Sequence, residues 1–340
     1  MAIILTACST NEKTNEQESK VTPSIAVETP ETGDEAEELI VAYSTEIMDE
    51  DQTRIVNGLR RRIAEINEEQ DEYQIADLIV TDANSNIEKQ IADVETLMQS
   101  GVDILFCQPY DADALSSALK EARKAGVTVL INRDFSDTEA YDVYYKADDE
   151  AYMGQILKEY MREMLEADPD LHLNMAVVYP TATSGIASFG RVGGMEELAE
   201  EMPDRITTIV SGYGNWNTND TMKLVEDWMQ TYDNINYIAC ANDEEALGAV
   251  NVIQSMNLLD EIMVSGANGG GTGTHLCEEG LLEVTIGAKK EIALGMTLDY
   301  AIKYRNGEAT ERVYEAGKDL YFIVTPETVD EWIEYQESFN

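Results

Sequence analysis

The chain has 340 residues, of which 44% are hydrophobic, and this length and composition allow more than one folded domain. Its formal net charge of −44 repels phosphate backbones, so we expect no nucleic-acid partner. No stretch approaches the roughly 18 to 20 apolar residues that cross a bilayer, so no membrane-spanning helix is predicted.

A cysteine motif stands near the start of the chain. Leu5-Thr6-Ala7-Cys8 matches the lipobox of bacterial lipoproteins, in which the cysteine thiol carries the lipid. Residues 9–38 are rich in Ser, Thr, Asn, Glu and Pro without a hydrophobic period, which predicts a disordered tether. We therefore expect a lipid anchor at Cys8 and interpret residues 1–8 as the remnant of a longer signal. A chance match to these four letters is the alternative.

From residue 39 onward the chain alternates strand and helix patterns. We predict strands at 39–43, 73–80, 103–107, 127–131, 173–178, 206–210, 237–240 and 262–265. Predicted helices cover 51–68, 87–100, 111–125, 190–201, 218–231 and 244–256, and a last one follows Pro326, which suits its first turn. Strands separated by helices of this length predict right-handed crossovers and parallel sheets. Two such series, before about 135 and after about 170, predict an α/β fold of two Rossmann-like lobes.

Polar residues follow many of these predicted strands. Five such segments are 49–52, 108–111, 132–134, 242–244 and Asn268. Ligands of open parallel sheets bind at the carboxyl ends of the strands. A helix cap or a turn is the alternative for each segment, but their equivalent positions in both halves favour a binding cleft.

Motifs for catalysis or for a cofactor are absent from the sequence. The chain has no P-loop, no G-x-S-x-G and no H-E-x-x-H. Its cysteines show no metal-ligand spacing with His172 or His275, and we expect Cys107 and Cys240 to be buried in strands. We interpret Gly269–Gly273 as a flexible loop at the rim of the cleft. We therefore expect no catalytic residue, no metal and no cofactor.

One segment carries a specific resemblance. Ala241–Ala249, with the sequence ANDEEALGA, resembles the N-D-x-x-A-x-G signature of periplasmic sugar-binding proteins of the ribose/galactose type, the type I binding proteins of ABC importers. Further similar segments are Gln108-Pro109-Tyr110-Asp111, Ile131-Asn132-Arg133, Arg191-Val192-Gly193-Gly194 at the opening of a helix, and Asn215-Trp216-Asn217. The resemblance covers about residues 39–340.

The resemblance implies a set of ligand-binding residues. It places Gln108, Asn132 and Arg133 on the N-lobe side, and Arg191, Trp216, Asn242 and Asn268 on the C-lobe side. Asp49 matches an Asp of glucose/galactose-type relatives, and Asp51 and Gln52 stand beside it. Trp216 would cover the apolar face of a sugar ring. We expect Asp243 to cap the helix that follows it.

The resemblance also implies three crossovers between the lobes, near 147, 288 and 317. They would form a hinge and divide the chain into an N-terminal lobe of 39–147 plus 289–317 and a C-terminal lobe of 148–288 plus 318–340. The implied function is an extracytoplasmic, membrane-anchored solute-binding lipoprotein that delivers a monosaccharide or a similar small polar ligand to an ABC permease.

Three other function classes compete with this interpretation. A protein that presents its ligand to a membrane kinase or a chemoreceptor remains the alternative, because the sequence does not separate sensing from transport. A sugar-responsive repressor would carry a helix-turn-helix where this chain has the lipobox and tether, and the charge disfavours DNA. A hydrolase or isomerase on the same fold has no supporting motif.

Overall fold

Two parallel β-sheets form the framework of the protein, seen in a computed structural model that describes residues 37–340 except 71, 134, 147, 148 and 183–185. The lipobox with Cys8, the predicted tether as far as residue 36, Asp134 and the predicted crossover at 147 lie outside the described residues. Both sheets belong to one compact unit that extends to Asn340.

The described residues form twelve strands, ten α-helices and one short 3-10 helix. The strands are β1 (Glu37–Thr45), β2 (Tyr73–Asp82), β3 (Ile104–Cys107), β4 (Thr128–Ile131), β5 (Val143–Lys146), β6 (Leu173–Tyr179), β7 (Ile206–Tyr213), β8 (Tyr237–Cys240), β9 (Met263–Ser265), β10 (Thr285–Ala288), β11 (Val313–Glu315) and β12 (Tyr321–Val324). The helices are α1 (Glu50–Glu69), α2 (Ile87–Gln99), α3 (Ala112–Lys124), α4 (Glu150–Ala167), α5 (Ile186–Glu201), α6 (Thr218–Thr231), α7 (Asp243–Ser255), α8 (Gly271–Glu278), α9 (Lys290–Arg305) and α10 (Val329–Glu337), and the 3-10 helix is Lys318–Leu320.

The first sheet has the strand order β11-β5-β4-β3-β1-β2, and all its neighbouring strands are parallel. The central strands β3 and β4 are buried along their whole length, as expected for apolar strands with helices on both faces. On one face α1 and α9 pack through Leu59 and Leu294. On the other face α2 and α3 pack through Leu97 and Leu115.

The second sheet has the strand order β7-β6-β8-β9 and is also parallel. β10 and β12 form an antiparallel pair, and the bridge Asn268–Gly287 sets β10 beside the loop that follows β9. Helices α4 and α5 cover one face of this sheet through Leu157 and Met195. Helices α6, α7, α8 and α10 contribute to the core on the other face, which includes Trp332.

The predicted α/β fold with two parallel-sheet lobes is confirmed, and the differences are local. β1 begins at Glu37 because Glu37 pairs with Tyr73 of β2, two residues before the predicted start. Helix α4 and strands β5 and β10 are not predicted from the sequence, whereas α9, β11 and β12 lie in the segment after about 289, where further helix and strand are predicted without bounds. Helix α5 begins at Ile186, so Arg191 lies inside the helix and not at its opening. Pro326 stands in the turn before α10 and not in its first turn.

Candidate ligand-binding site

Arg191 is the centre of a polar network at the carboxyl end of the second sheet. Its side chain projects from α5 and the residue is only 7% exposed. Nη1 donates to Asn268 Oδ1 at 2.7 Å and to the carbonyl of Ala241 at 3.3 Å. Nη2 donates to Glu150 Oε1 at 2.7 Å, and Cζ lies 5.2 Å from the centre of the Trp216 ring. Three predicted site residues, Arg191, Trp216 and Asn268, are therefore in contact.

Asn242 is placed beside this network as the N-cap of α7. Its Oδ1 accepts the N–H of Glu245 at 2.7 Å. Asp243 was predicted to be this cap, and the prediction is wrong. Asp243 is the first helical residue, and its buried carboxylate accepts from Thr285 Oγ1 at 2.7 Å and from the N–H of Gly270 at 3.2 Å.

Three predicted amide side chains surround one cavity of about 100 Å³ at the carboxyl end of the first sheet. Gln108 follows β3, Asn132 follows β4 and Gln52 lies in α1. Tyr43, Ile55, Tyr145, Lys290 and Leu294 complete the lining. Gln108 and Asn132 meet because parallel strands end at the same edge of a sheet, and Gln52 joins them from the first turn of α1.

The amide groups of this cavity are oriented by their neighbours. Tyr43 donates its hydroxyl proton to Gln52 Oε1 at 2.5 Å, and the single hydroxyl proton of Thr45 is shared between Gln108 Oε1 at 2.9 Å and the Ile47 carbonyl at 3.0 Å. The bond from Tyr43 engages the carbonyl end of Gln52, which leaves its N–H₂ group as a donor. The Oδ1 atom of Asn132 is buried and has no hydrogen-bond partner among the described residues. The cavity therefore offers both donors and an acceptor.

A second, much smaller cavity of about 10 Å³ is lined by residues near the first-sheet cavity and by a residue of the Arg191 network. Its lining includes Asp51 and Arg54 of α1 together with Asn268, which also binds Arg191. Lys290 contributes to both cavities. Arg54 is buried and pairs with Asp51 and with Glu291, so Asp51 is held by an ion pair at this position.

Two predicted residues lie apart from these cavities. Asp49 is the exposed N-cap of α1, where its Oδ1 accepts the N–H of Gln52 at 2.8 Å. The Arg133 side chain is 45% exposed and pairs with Glu46. Neither is among the described residues that line the two cavities.

The glycine-rich segment differs from the predicted rim loop. Gly269 is buried in a left-handed conformation with φ +60°, and its carbonyl accepts from Trp332 Nε1 at 2.7 Å and from Gln336 Nε2 at 2.9 Å. A Cβ on Gly269 would lie 2.7 Å from Gly287 Cα, so only glycine fits. α8 begins at Gly271. The segment therefore consists of a hydrogen-bonded turn at Gly269 followed by the first turn of α8.

The site also contains buried carboxyl groups that sequence reasoning did not assign to it. Burial raises the pKa of Asp243 to about 7, against the opposing effect of its bonds to Thr285 and Gly270. Burial likewise raises the pKa of Glu245 to about 7, while backbone N–H groups and the charge of Arg191 lower it. Glu245 stands within the matched signature, but nothing in the sequence around it indicates its contact with Trp216.

Cys107 and Cys240 are buried in β3 and β8, which confirms their predicted position.

Across the described part of the chain, no helix combines the length and apolarity needed to cross a membrane. No cluster of metal-binding side chains occurs among those same residues.

Comparison with known proteins gives a consistent result. Residues 58–309, more than half of the chain, match the family described as "Periplasmic binding protein domain". The D-xylose-binding periplasmic protein of Escherichia coli is 22% identical over 236 residues, which cover 68% of this chain and 70% of that protein. The ribose import binding protein of Bacillus subtilis is 24% identical over 239 residues, 70% of this chain and 75% of that protein.

Solved structures share the fold. A solute-binding protein of an ABC transporter from Bacillus halodurans, with bound myo-inositol, has a TM-score of 0.67 at 23% identity and covers 89% of this chain and 100% of its own. A counterpart from Actinobacillus succinogenes, with bound D-allose, has a TM-score of 0.70 at 22% identity and covers 86% and 99%. These relatives are binding proteins, which confirms the prediction that the chain is not an enzyme. The chain belongs to the periplasmic binding protein family.

Proposed function

We propose that this protein captures a sugar or a similar small polar ligand between its two lobes and delivers it to an ABC permease. The observation that carries the proposal is the cavity on which Gln52, Gln108 and Asn132 converge, at the carboxyl end of a parallel sheet. The names of the relatives, which include D-xylose- and ribose-binding proteins, support a sugar.

The chemistry of the site suits vicinal hydroxyl groups. Each hydroxyl both donates and accepts, and a planar amide or a guanidinium can pair with two of them. The buried Oδ1 of Asn132 would accept from one such hydroxyl. Arg191, Asn242 and Asn268 would supply the opposite wall, with Trp216 beside them. Asp49, Asp51 and Arg133 remain proposed ligand contacts, of which Asp51 lines the small cavity.

Two lobes would close on the ligand about a hinge. We assign residues 39–147 plus 289–317 to one lobe and 148–288 plus 318–340 to the other. The strand arrangement supports this division, because β11 joins the first sheet while β12 pairs with β10. Ligand should shift the population towards a closed state. Small-angle scattering with and without ligand tests this, and an unchanged radius of gyration would contradict it.

The protein would act outside the cytoplasm, held to the membrane by lipid at Cys8. The support is the motif Leu5-Thr6-Ala7-Cys8 and the polar segment after it. With a complete signal in place, mass spectrometry of membrane-extracted protein should find an acylated Cys8 peptide, and Cys8→Ser should release the protein. An unmodified Cys8 in membrane-bound protein would contradict the anchor.

A thermal-shift screen against sugars and polyols, followed by calorimetry, tests ligand capture. A ligand at about 100 times its dissociation constant should stabilise the protein by roughly 2.7 kcal/mol. Uptake of the labelled ligand by cells with and without the gene then tests delivery. Binding without any loss of uptake in the deletion strain would favour a sensor, and no binding by any sugar or polyol would contradict the proposed ligand class.

A further inference from the structure

Glu245 is a buried carboxylate that joins two loops of the candidate site. It lies in the first turn of α7 and is 0% exposed. Its Oε1 accepts the N–H of Trp216 at 3.0 Å, and its Oε2 accepts the N–H of Ala241 at 3.1 Å. Trp216 belongs to the loop between β7 and α6, whereas Ala241 lies between β8 and α7. The Ala241 N–H also donates to the Val178 carbonyl of β6 at 3.2 Å, so Ala241 is held by the sheet and Glu245 ties the Trp216 loop to it.

The loop that contains Trp216 has a backbone that needs such support. Asn215 and Trp216 adopt consecutive left-handed conformations, with φ +58° and +57°. Residues with a Cβ atom disfavour this region, and they remain in it only where the surroundings hold them. A Cβ on Gly214 would lie 2.7 Å from Glu245 Oε1, so the carboxylate packs directly against this loop.

The position of this loop determines what Arg191 contacts. The guanidinium lies over the Trp216 ring at 5.2 Å and also donates to the carbonyl of Ala241 at 3.3 Å. Glu245 binds the backbone N–H groups of these same two residues. A displacement of either loop would therefore change the surroundings of Arg191.

Burial of the Glu245 side chain carries an electrostatic cost. Burial disfavours its charged form, and Cys240 of β8 is close enough to interact with both Glu245 and Asp243. Arg191 from α5 and the backbone N–H groups oppose this cost. A fully buried carboxylate is costly unless it is hydrogen-bonded, and the partners of Glu245 are backbone groups of the candidate site.

We infer that Glu245 is a positioning residue for ligand binding, which fixes the Trp216 loop and thereby orients Trp216 and Arg191. This inference rests on the proposed function for its effect on affinity. Its structural part, the hold on the Trp216 loop, can be measured without any ligand.

Two substitutions and one control test the inference. Glu245→Met keeps the length of the side chain and removes both acceptors, whereas Glu245→Gln keeps one oxygen acceptor. Glu226→Gln removes a carboxylate from an exposed position of α6. Acrylamide quenching of tryptophan fluorescence reports on Trp216, because Trp228 and Trp332 are 5% and 2% exposed. Trp216→Phe identifies its share of the signal. Calorimetry with D-ribose, D-xylose and myo-inositol measures affinity.

Glu245→Met should increase the quenching of Trp216 without ligand and weaken the binding of the best of these three probes about tenfold. Glu245→Gln should show a smaller change in both measurements, and Glu226→Gln should behave as the parent. If Glu245→Met does not fold, Glu245→Gln decides the outcome. A folded variant with the quenching or the affinity of the parent would overturn the inference. If the parent binds none of these probes, the ligand found by the thermal-shift screen replaces them; a parent that binds no sugar or polyol contradicts the proposed function, and the quenching comparison then decides the structural part alone.

Discussion

The guanidinium of Arg191 lies over the indole ring of Trp216, with Cζ 5.2 Å from the centre of the ring. The same group donates to Asn268, to Glu150 and to the Ala241 carbonyl, so its hydrogen-bonding directions are set by three neighbours. A guanidinium stacked on an aromatic face and held by a carboxylate has little freedom. One face of the Trp216 ring therefore carries Arg191, and only the other face could cover a sugar ring.

Arg191→Met should weaken ligand binding strongly. The substitution leaves Asn268 Oδ1 and the Glu150 carboxylate without this donor, and it removes a cation from the proposed ligand wall. Lost hydrogen bonds to charged groups cost roughly 1.5–3 kcal/mol, which corresponds to about a 10- to 100-fold loss of affinity. Calorimetry with the ligand found by the thermal-shift screen measures this loss of affinity.

Arg133→Met is the matched control for this change. Arg133 is a proposed ligand contact too, but its side chain is 45% exposed and pairs with Glu46. An exposed pair of this kind contributes about 1 kcal/mol at most, so we expect a loss of affinity of less than about fivefold. Equal losses in both variants would contradict the central position assigned to Arg191.

The sequence located the cavity of the first sheet because strand ends can be recognised along the chain. Gln108 and Asn132 come directly after buried apolar runs, and parallel strands bring their ends together. The sequence failed where distant contacts decide between similar residues. Asn242 and Asp243 are both good caps, and Thr285, 42 positions away from Asp243, binds the Asp243 carboxylate and draws it inward.

Helix α4 was missed although its sequence carries a signal. Met153, Leu157, Met161 and Leu165 recur every four residues and are all buried. The omission also removed Glu150, the ion-pair partner of Arg191, from the predicted site. The role of Glu245 could not be predicted in the same way, because its partner Trp216 comes near it only through the order of strands in the second sheet.

Asn132→Leu should stabilise the protein without ligand and weaken binding. The buried Oδ1 of Asn132 has no partner among the described residues, and an apolar side chain of similar size removes this unpaired acceptor. The gain in unfolding free energy should be roughly 1 kcal/mol. The lost bond to a ligand hydroxyl should reduce affinity about tenfold. Urea denaturation and calorimetry measure the two effects.

The comparison variant is Gln90→Leu. Gln90 is a fully buried amide, whereas Asn132 is half-buried with a buried Oδ1. Gln90 Nε2 donates to the Gln108 carbonyl at 2.9 Å, and its Oε1 accepts from the Tyr110 N–H at 2.9 Å. Its loss leaves these groups unpaired, so this variant should be destabilised by about 1–3 kcal/mol. If Asn132→Leu is destabilised to the same degree, Asn132 is needed for the fold and not for the ligand.

The stability of the protein should fall as pH rises from about 5 to about 8. Burial raises the pKa of the Asp243 carboxyl from its ordinary 3.8 to about 7, so the folded state binds a proton that the unfolded state has already released. A raised pKa favours the folded state below the unfolded pKa, and that contribution is lost as pH passes through about 7. Burial also raises the pKa of Glu245 to about 7, which adds to the same fall in stability with rising pH.

Asp243→Asn should flatten this profile, because the amide does not titrate. The difference in unfolding free energy between pH 5 and pH 8 should shrink by on the order of 1–2 kcal/mol. In the control Asp220→Asn the profile should keep its shape, because the pKa of exposed Asp220 is lowered by Lys223 and the group stays ionised across this range. Parallel profiles for the parent and Asp243→Asn would show that Asp243 is not the responsible group.

Adjacent glycines of α5 should respond in opposite ways to the same substitution. A Cβ on Gly194 would lie 1.9 Å from the carbonyl oxygen of Gly154, because α4 and α5 touch at this point, whereas a Cβ on Gly193 meets nothing within 4 Å. Gly194→Ala should therefore lose about 1–3 kcal/mol or more of stability by forcing the helices apart. Gly193→Ala should gain about 0.5–1 kcal/mol from better helix propensity. Because α4 carries Glu150 and α5 carries Arg191, only Gly194→Ala should also weaken ligand binding. Urea denaturation and calorimetry on both variants measure this, and equal stability would show that the close approach of the two helices is not required.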